Sequence, residues 1–94
     1  MPSASEPRPP DRALADSGDP DDAVVLAIVS LLRQTRREKG LSLRELGEKT
    51  KIYHVHLSRA ERGVSQPGLI VLIRWCRALD LRFIDVWKQA SGEN

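Results

Sequence analysis

A chain of 94 residues with 40% hydrophobic and 4% aromatic content has room for one small core and excludes a second. No apolar run approaches the roughly 20 residues a membrane helix needs, and MPSASEPRPPDRALADSGDPDD lacks the basic start and apolar stretch of a secretory leader. A single cysteine, Cys76, cannot close an internal disulfide, so the expected setting is the reducing cytoplasm. The formal net charge of +2 hides a division. Through Asp22 two Arg stand against six acids, a balance of −4, whereas Ala23 to Asn94 hold 13 Lys and Arg against 7 Asp and Glu, a balance of +6. A basic domain behind an acidic tail favours a polyanionic partner.

The first 20 residues are rich in Pro, Ser, Asp and Ala without periodicity and cannot bury enough apolar surface to offset chain entropy. They are expected to be disordered, with a domain over 21–90 and a short tail over 91–94. A first helix opens with Asp19 as N-cap, Pro20 at its first position and Asp21 and Asp22 where the helix dipole favours negative charge. Val25, Ile28, Val29 and Leu32 recur at helical spacing on one buried face, and Gly40 stops the helix. A second helix, about 43–50, has Ser42 as cap and Glu45 three positions on, a capping box, with Leu43 and Leu46 inward. A third, about 54–62, is closed by Gly63, and VSQP is a turn. A fourth places Leu69, Leu72, Ile73, Cys76 and Leu79 on one face, and LRFIDVWKQA is a fifth. No segment alternates with a two-residue period, so the expected fold is all-α, a compact five-helix domain.

Two short helices joined by a tight turn inside a basic all-helical domain form a helix-turn-helix. The stretches LLRQTRREKGLSLRELGEKTKI, HLSRAERGVSQP and LIRWCRALDLRFIDVW resemble the lambda repressor/Cro-like (XRE-type) helix-turn-helix family from about Ile28 to Trp87. The family's first-helix Arg corresponds to Arg36, its "glS" to Gly40–Ser42, its Leu and small residue to Leu46 and Gly47, and its "lsriErG" to Leu57–Gly63. The resemblance implies a recognition helix at 54–62 entering the major groove of double-stranded DNA. It also implies an Arg36–Glu61 ion pair tying that helix to the first.

The helical wheel agrees with this placement. At 100° per residue Leu57 and Ala60 fall inward, and Val55, Ser58, Arg59 and Arg62 fall on the opposite side. Arg59 can fork onto a guanine edge, Val55 can touch a thymine methyl, and His54 and Ser58 can hydrogen-bond a base. Ser42, Arg44, Lys51, Tyr53, His56, Arg62, Ser65 and Gln66 are the candidate phosphate contacts. His54 and His56 make a poor metal pair, because residues two apart on a helix point about 200° apart and no other His exists. No phosphate loop or Ser/His/Asp constellation points to catalysis, and no cofactor is implied.

Within the two helices and their turn, three positions depart from the family pattern. Leu43 stands where a phosphate-touching Gln is usual, so that contact is either lost or moved to Arg44. Lys51 stands where the turn usually has Gly, and a left-handed Lys costs about 1 kcal/mol relative to Gly. Tyr53 replaces a Ser or Thr cap, with a hydroxyl that can reach a phosphate. Ile70, Val71 and Ile84 are apolar where the family is polar, and Trp87 lies near them in sequence. These four form the candidate dimer interface, which would set two recognition helices about 34 Å apart on a palindromic site. The expected function is therefore a dimeric, DNA-binding transcriptional regulator that represses by occluding a promoter. The alternative is a protein-interaction module on the same fold, docking through Ile70, Ile84 and Trp87.

Overall fold

The computed structural model describes residues 18–92, so the expected disordered tail lies, up to residue 17, outside the described residues. The described chain is five α-helices with no strand: α1 Pro20–Glu38, α2 Leu43–Thr50, α3 His54–Glu61, α4 Leu69–Ala78 and α5 Phe83–Ser91. The all-α, five-helix class read from the sequence is the one observed.

Local chemistry sets the helix ends. The Asp19 carboxylate accepts from the Asp21 N–H at 2.7 Å, and Pro20 begins α1. Gly40 ends that helix with φ of 70°, and the following Leu41 N–H turns back to the Arg36 carbonyl at 3.1 Å. In α2 the Ser42 hydroxyl accepts from the Glu45 N–H at 3.0 Å, while the Glu45 carboxylate accepts from the Ser42 N–H at 2.8 Å. That reciprocal box holds the Glu45 carboxyl below its ordinary pKa, with the Ser42 backbone bond as the main cause.

The core is built from Ile28, Val29 and Leu32 of α1, Leu46 of α2, Leu57 and Ala60 of α3, and Leu72, Trp75 and Cys76 of α4, with Leu79 and Val86. α1 packs against α5 and α3, and α2 packs against α3 and α4. Val24 and Leu31 rest against the core edge, so the broad apolar surface of α1 is largely used within the chain.

α4 corrects the sequence expectation. Its buried stripe runs through Leu72, Trp75, Cys76 and Leu79, while Leu69 and Ile73 are exposed. The indole of Trp75 is the largest fully buried side chain and rotates the inward face toward itself. Ile73 then sits about 110° from the centre of that face. The Trp75 Nε1–H has no hydrogen-bond partner among the described residues, a cost of about 1–3 kcal/mol that the buried indole offsets by area. Burial also pushes the Cys76 thiol above its ordinary pKa, which makes it an inert core residue.

Lys51 closes α2 in the left-handed region, with φ of 61° and ψ of 34°, and its N–H bonds the Gly47 carbonyl. Lys51→Gly relieves that conformation and should raise stability by up to about 1 kcal/mol, read as an upward shift in thermal midpoint. A midpoint unchanged or lowered would contradict the strain at this turn.

Candidate nucleic-acid interface

α3 is anchored by two inward residues, Leu57 and Ala60, both essentially inaccessible. Its other side faces out: Val55, His56 and Arg62 are exposed, and His54, Ser58 and Arg59 are half-buried. The helix therefore keeps a polar, basic surface over a locked apolar one, within a domain whose core it closes.

A buried ion pair fixes α3 to α1. Arg36 donates from Nε to Glu61 Oε2 at 2.7 Å and from Nη2 to Oε1 at 2.9 Å, the two-pronged geometry a guanidinium offers a carboxylate. Arg36 Nη1 also donates to the Leu41 carbonyl at 2.8 Å, which ties the α1–α2 turn to the same guanidinium. The two side chains are 11% and 6% exposed, so the pair sits out of solvent. Arg33, exposed on α1, adds a second cation 3.8 Å from Glu61. The neutralised acid on α3 leaves no free negative charge at that point of the surface.

The N-terminal end of α3 carries an aromatic cluster. Tyr53 is 62% exposed and makes no side-chain cap bond. Its ring meets His54 edge-on at 5.0 Å and His56 edge-on at 5.7 Å. Both imidazoles thus lie edge-on to one phenol ring, and among the described residues no three His, Cys, Asp or Glu side chains gather as a metal site.

A shallow cleft of about 340 Å³ brings Arg44 and Lys51 of the α2 region together with Tyr53 and His54, over Gly47. Gly47 allows the close crossing: a Cβ there would lie 2.8 Å from the Ile52 carbonyl oxygen and 3.3 Å from the His54 nitrogen. Ser42 stands at the start of α2 with its hydroxyl already accepting from Glu45. Arg62 closes the other end of α3, about 12 Å along the helix axis from His54, and Ser65 and Gln66 follow it in the connection to α4.

The four apolar candidates divide. Ile70 and Ile84 are 66% and 44% exposed, whereas Val71 and Trp87 are half-buried and pack against the core. The sequence reading missed Arg33 as a second partner for Glu61, and it missed a basic cleft lined by Lys49, Lys51, Arg74 and Arg77. The spacing of Arg74 and Arg77, three apart on one helix face, was the available signal for the latter.

No described helix is long and apolar enough to cross a membrane. In the solved structures, the chain is similar to the clp gene regulator ClgR from Corynebacterium glutamicum. One crystal structure matches with a TM-score of 0.66 and 35% identity over 73% of each chain. A second matches with a TM-score of 0.64 and 34% identity, over 74% of this chain and 90% of that one. The chain is also 39% identical, over 57 residues and 61% of its length, to the uncharacterized HTH-type transcriptional regulator y4dL of Sinorhizobium fredii. It spans only 29% of that relative's length. Both relatives are named as regulators. Residues 32–86, more than half of the chain, match the helix-turn-helix family, and with α2 and α3 arranged as described the chain belongs to the lambda-repressor-like helix-turn-helix family of DNA-binding transcription regulators.

Proposed function

We propose that the chain reads a specific double-stranded DNA site as a homodimer and represses transcription from the cytoplasm by occluding a promoter. The observation that carries the reading is α3: a helix fixed inward by Leu57, Ala60 and the Arg36–Glu61 pair that turns Val55, His54, Ser58 and Arg59 away from the core. A base-reading helix has to be rigid, because a loosely held side chain loses the geometric discrimination between base edges. His54, Val55, Ser58 and Arg59 are the base-reading set. Arg44, Lys51, Tyr53 and His56 near the start of α3, and Arg62, Ser65 and Gln66 past its end, are the phosphate set. The two sets flank α3 at its opposite ends, about 12 Å apart along the helix axis from His54 to Arg62, which fits a helix seated in the major groove with phosphates on either side. Ser42 keeps its hydroxyl proton for a phosphate while its oxygen caps α2.

Dimerisation rests on apolar surface the core leaves uncovered. Leu69, Ile70 and Ile73 on α4 and Ile84 on α5 are exposed, and Val71 and Trp87 support them from the core side. A two-fold contact there presents two α3 helices to half-sites of a palindrome.

The test is a fluorescence-anisotropy titration at several salt concentrations. Affinity should fall steeply with salt, as counterions are released from the neutralised phosphates, and binding that stays flat from about 50 to 200 mM would contradict the reading. Arg59→Ala should cost about 1–3 kcal/mol on the specific site and relax the preference at one base pair. An equal loss on random DNA would place Arg59 on phosphate alone.

A further inference from the structure

We infer that the cleft between the C-terminal ends of α2 and α4 is a second phosphate-binding surface, one that grips duplex DNA flanking the site read by α3. This rests on the DNA-reading role proposed for α3. The cleft is open, about 560 Å³, and is lined by Lys49, Thr50, Lys51, Arg74, Arg77, Ala78 and Asp80. Four of those seven are cations and one is an acid.

Arg74 and Arg77 lie three apart on α4 and are exposed, as are Lys49 and Lys51. None of the four makes an ion pair within 4 Å among the described residues. Glu45 lies one turn back from Lys49 on α2, and Asp80 is the one acid in the cleft lining. Like charges at helical spacing repel, so an arrangement that gathers four of them around one concavity is relieved when an anion enters. Guanidinium groups bond two oxygens of a phosphate at once, and the lysines supply point charge beside them.

Continuity selects the backbone of DNA as that anion. Lys51 lines this cleft and also the smaller one that holds Arg44, Tyr53 and His54 at the start of α3. A strand leaving the α3 end therefore passes Lys51 before it reaches Lys49, Arg74 and Arg77. The cleft extends one basic track, and the duplex it would hold lies outside the bases that α3 contacts.

The experiment compares two duplexes carrying the site enriched by the protein from a random pool: one trimmed to the site, the other with about one helical turn of unrelated sequence on each side. Both are titrated against the full chain and against its Arg74→Gln/Arg77→Gln double variant, at several salt concentrations. The parent should bind the longer duplex more tightly and with a steeper salt dependence. The double variant should keep its affinity for the trimmed site while losing most of the length effect, with the log–log salt slope on the long duplex reduced by about 1–2. The inference is overturned if the parent shows no length effect, or if the double variant retains it. It is also overturned if the double variant melts lower but keeps the length effect, for then the arginines only complement the helix end. Length-independent DNA binding together with capture of polyglutamate by the parent but not the variant would overturn it in favour of an acidic protein partner. Failure of the α3 reading is a separate result: a trimmed site that the parent binds no better than a scrambled one.

Discussion

Replacing Glu61 by Ala should lower the stability of the domain by about 3–5 kcal/mol. The carboxylate receives two hydrogen bonds from Arg36 and lies 3.8 Å from Arg33, in a place that is 6% exposed. Its removal leaves the Arg36 charge out of water with only the Leu41 carbonyl to accept from it. For a domain of this size each kcal/mol moves the thermal midpoint by about 4–8 °C, so the variant should melt tens of degrees lower or fail to fold at room temperature. An exposed ion pair would cost under about 1 kcal/mol, and a variant that melts like the parent would show that the pair is not holding α3. A double variant, Arg36→Met with Glu61→Leu, removes both charges together and should recover much of the loss. Recovery should stop short by about 1 kcal/mol, because the Leu41 carbonyl loses its donor. Circular-dichroism melting of the three proteins checks all of this.

The second large effect is at Gly47. Gly47→Val should destabilise by about 2 kcal/mol or more and weaken DNA binding in the same protein. A Cβ there meets the Ile52 carbonyl oxygen at 2.8 Å, which is backbone and cannot swing aside as a side chain would. The Ile52 N–H already bonds the Gly47 carbonyl at 3.1 Å, so the turn is fixed at both ends. Better helix propensity returns under about 1 kcal/mol and does not cover the strain. The backbone shift is absorbed where α3 starts, at His54, one of the proposed base-reading side chains. Chemical denaturation and anisotropy on one preparation should therefore report both losses. Normal stability with normal binding would mean that α2 and α3 do not cross this closely.

Particular residues explain what the sequence could and could not tell. The ends of α1 and α2 were legible because capping is local: Asp19, Pro20, Ser42 and Glu45 state their roles within four residues. The left-handed turn at Lys51 was legible from the position that usually takes Gly, and the backbone angles there now give it a definite strain. Arg36 and Glu61 are 25 residues apart, and only the family pattern joined them in advance. The face of α4 was misjudged because Leu69 and Ile73 weigh as much as Leu72 on a wheel. Which arc is buried depends on the partners of Trp75, and those come from other helices. Arg33 and the cleft around Arg74 and Arg77 escaped for the same reason, since each needs two elements placed in space before its charges are neighbours.

The claim that α3 reads base sequence in duplex DNA is tested most directly by selection from a random duplex pool, sequenced after several rounds of binding. An inverted repeat whose half-sites lie one helical turn apart, about 34 Å, should be enriched, with one position in each half-site relaxed when the selection is repeated with Arg59→Ala. A pool that remains random after selection, or a motif that Arg59→Ala leaves unchanged at every position, would contradict it.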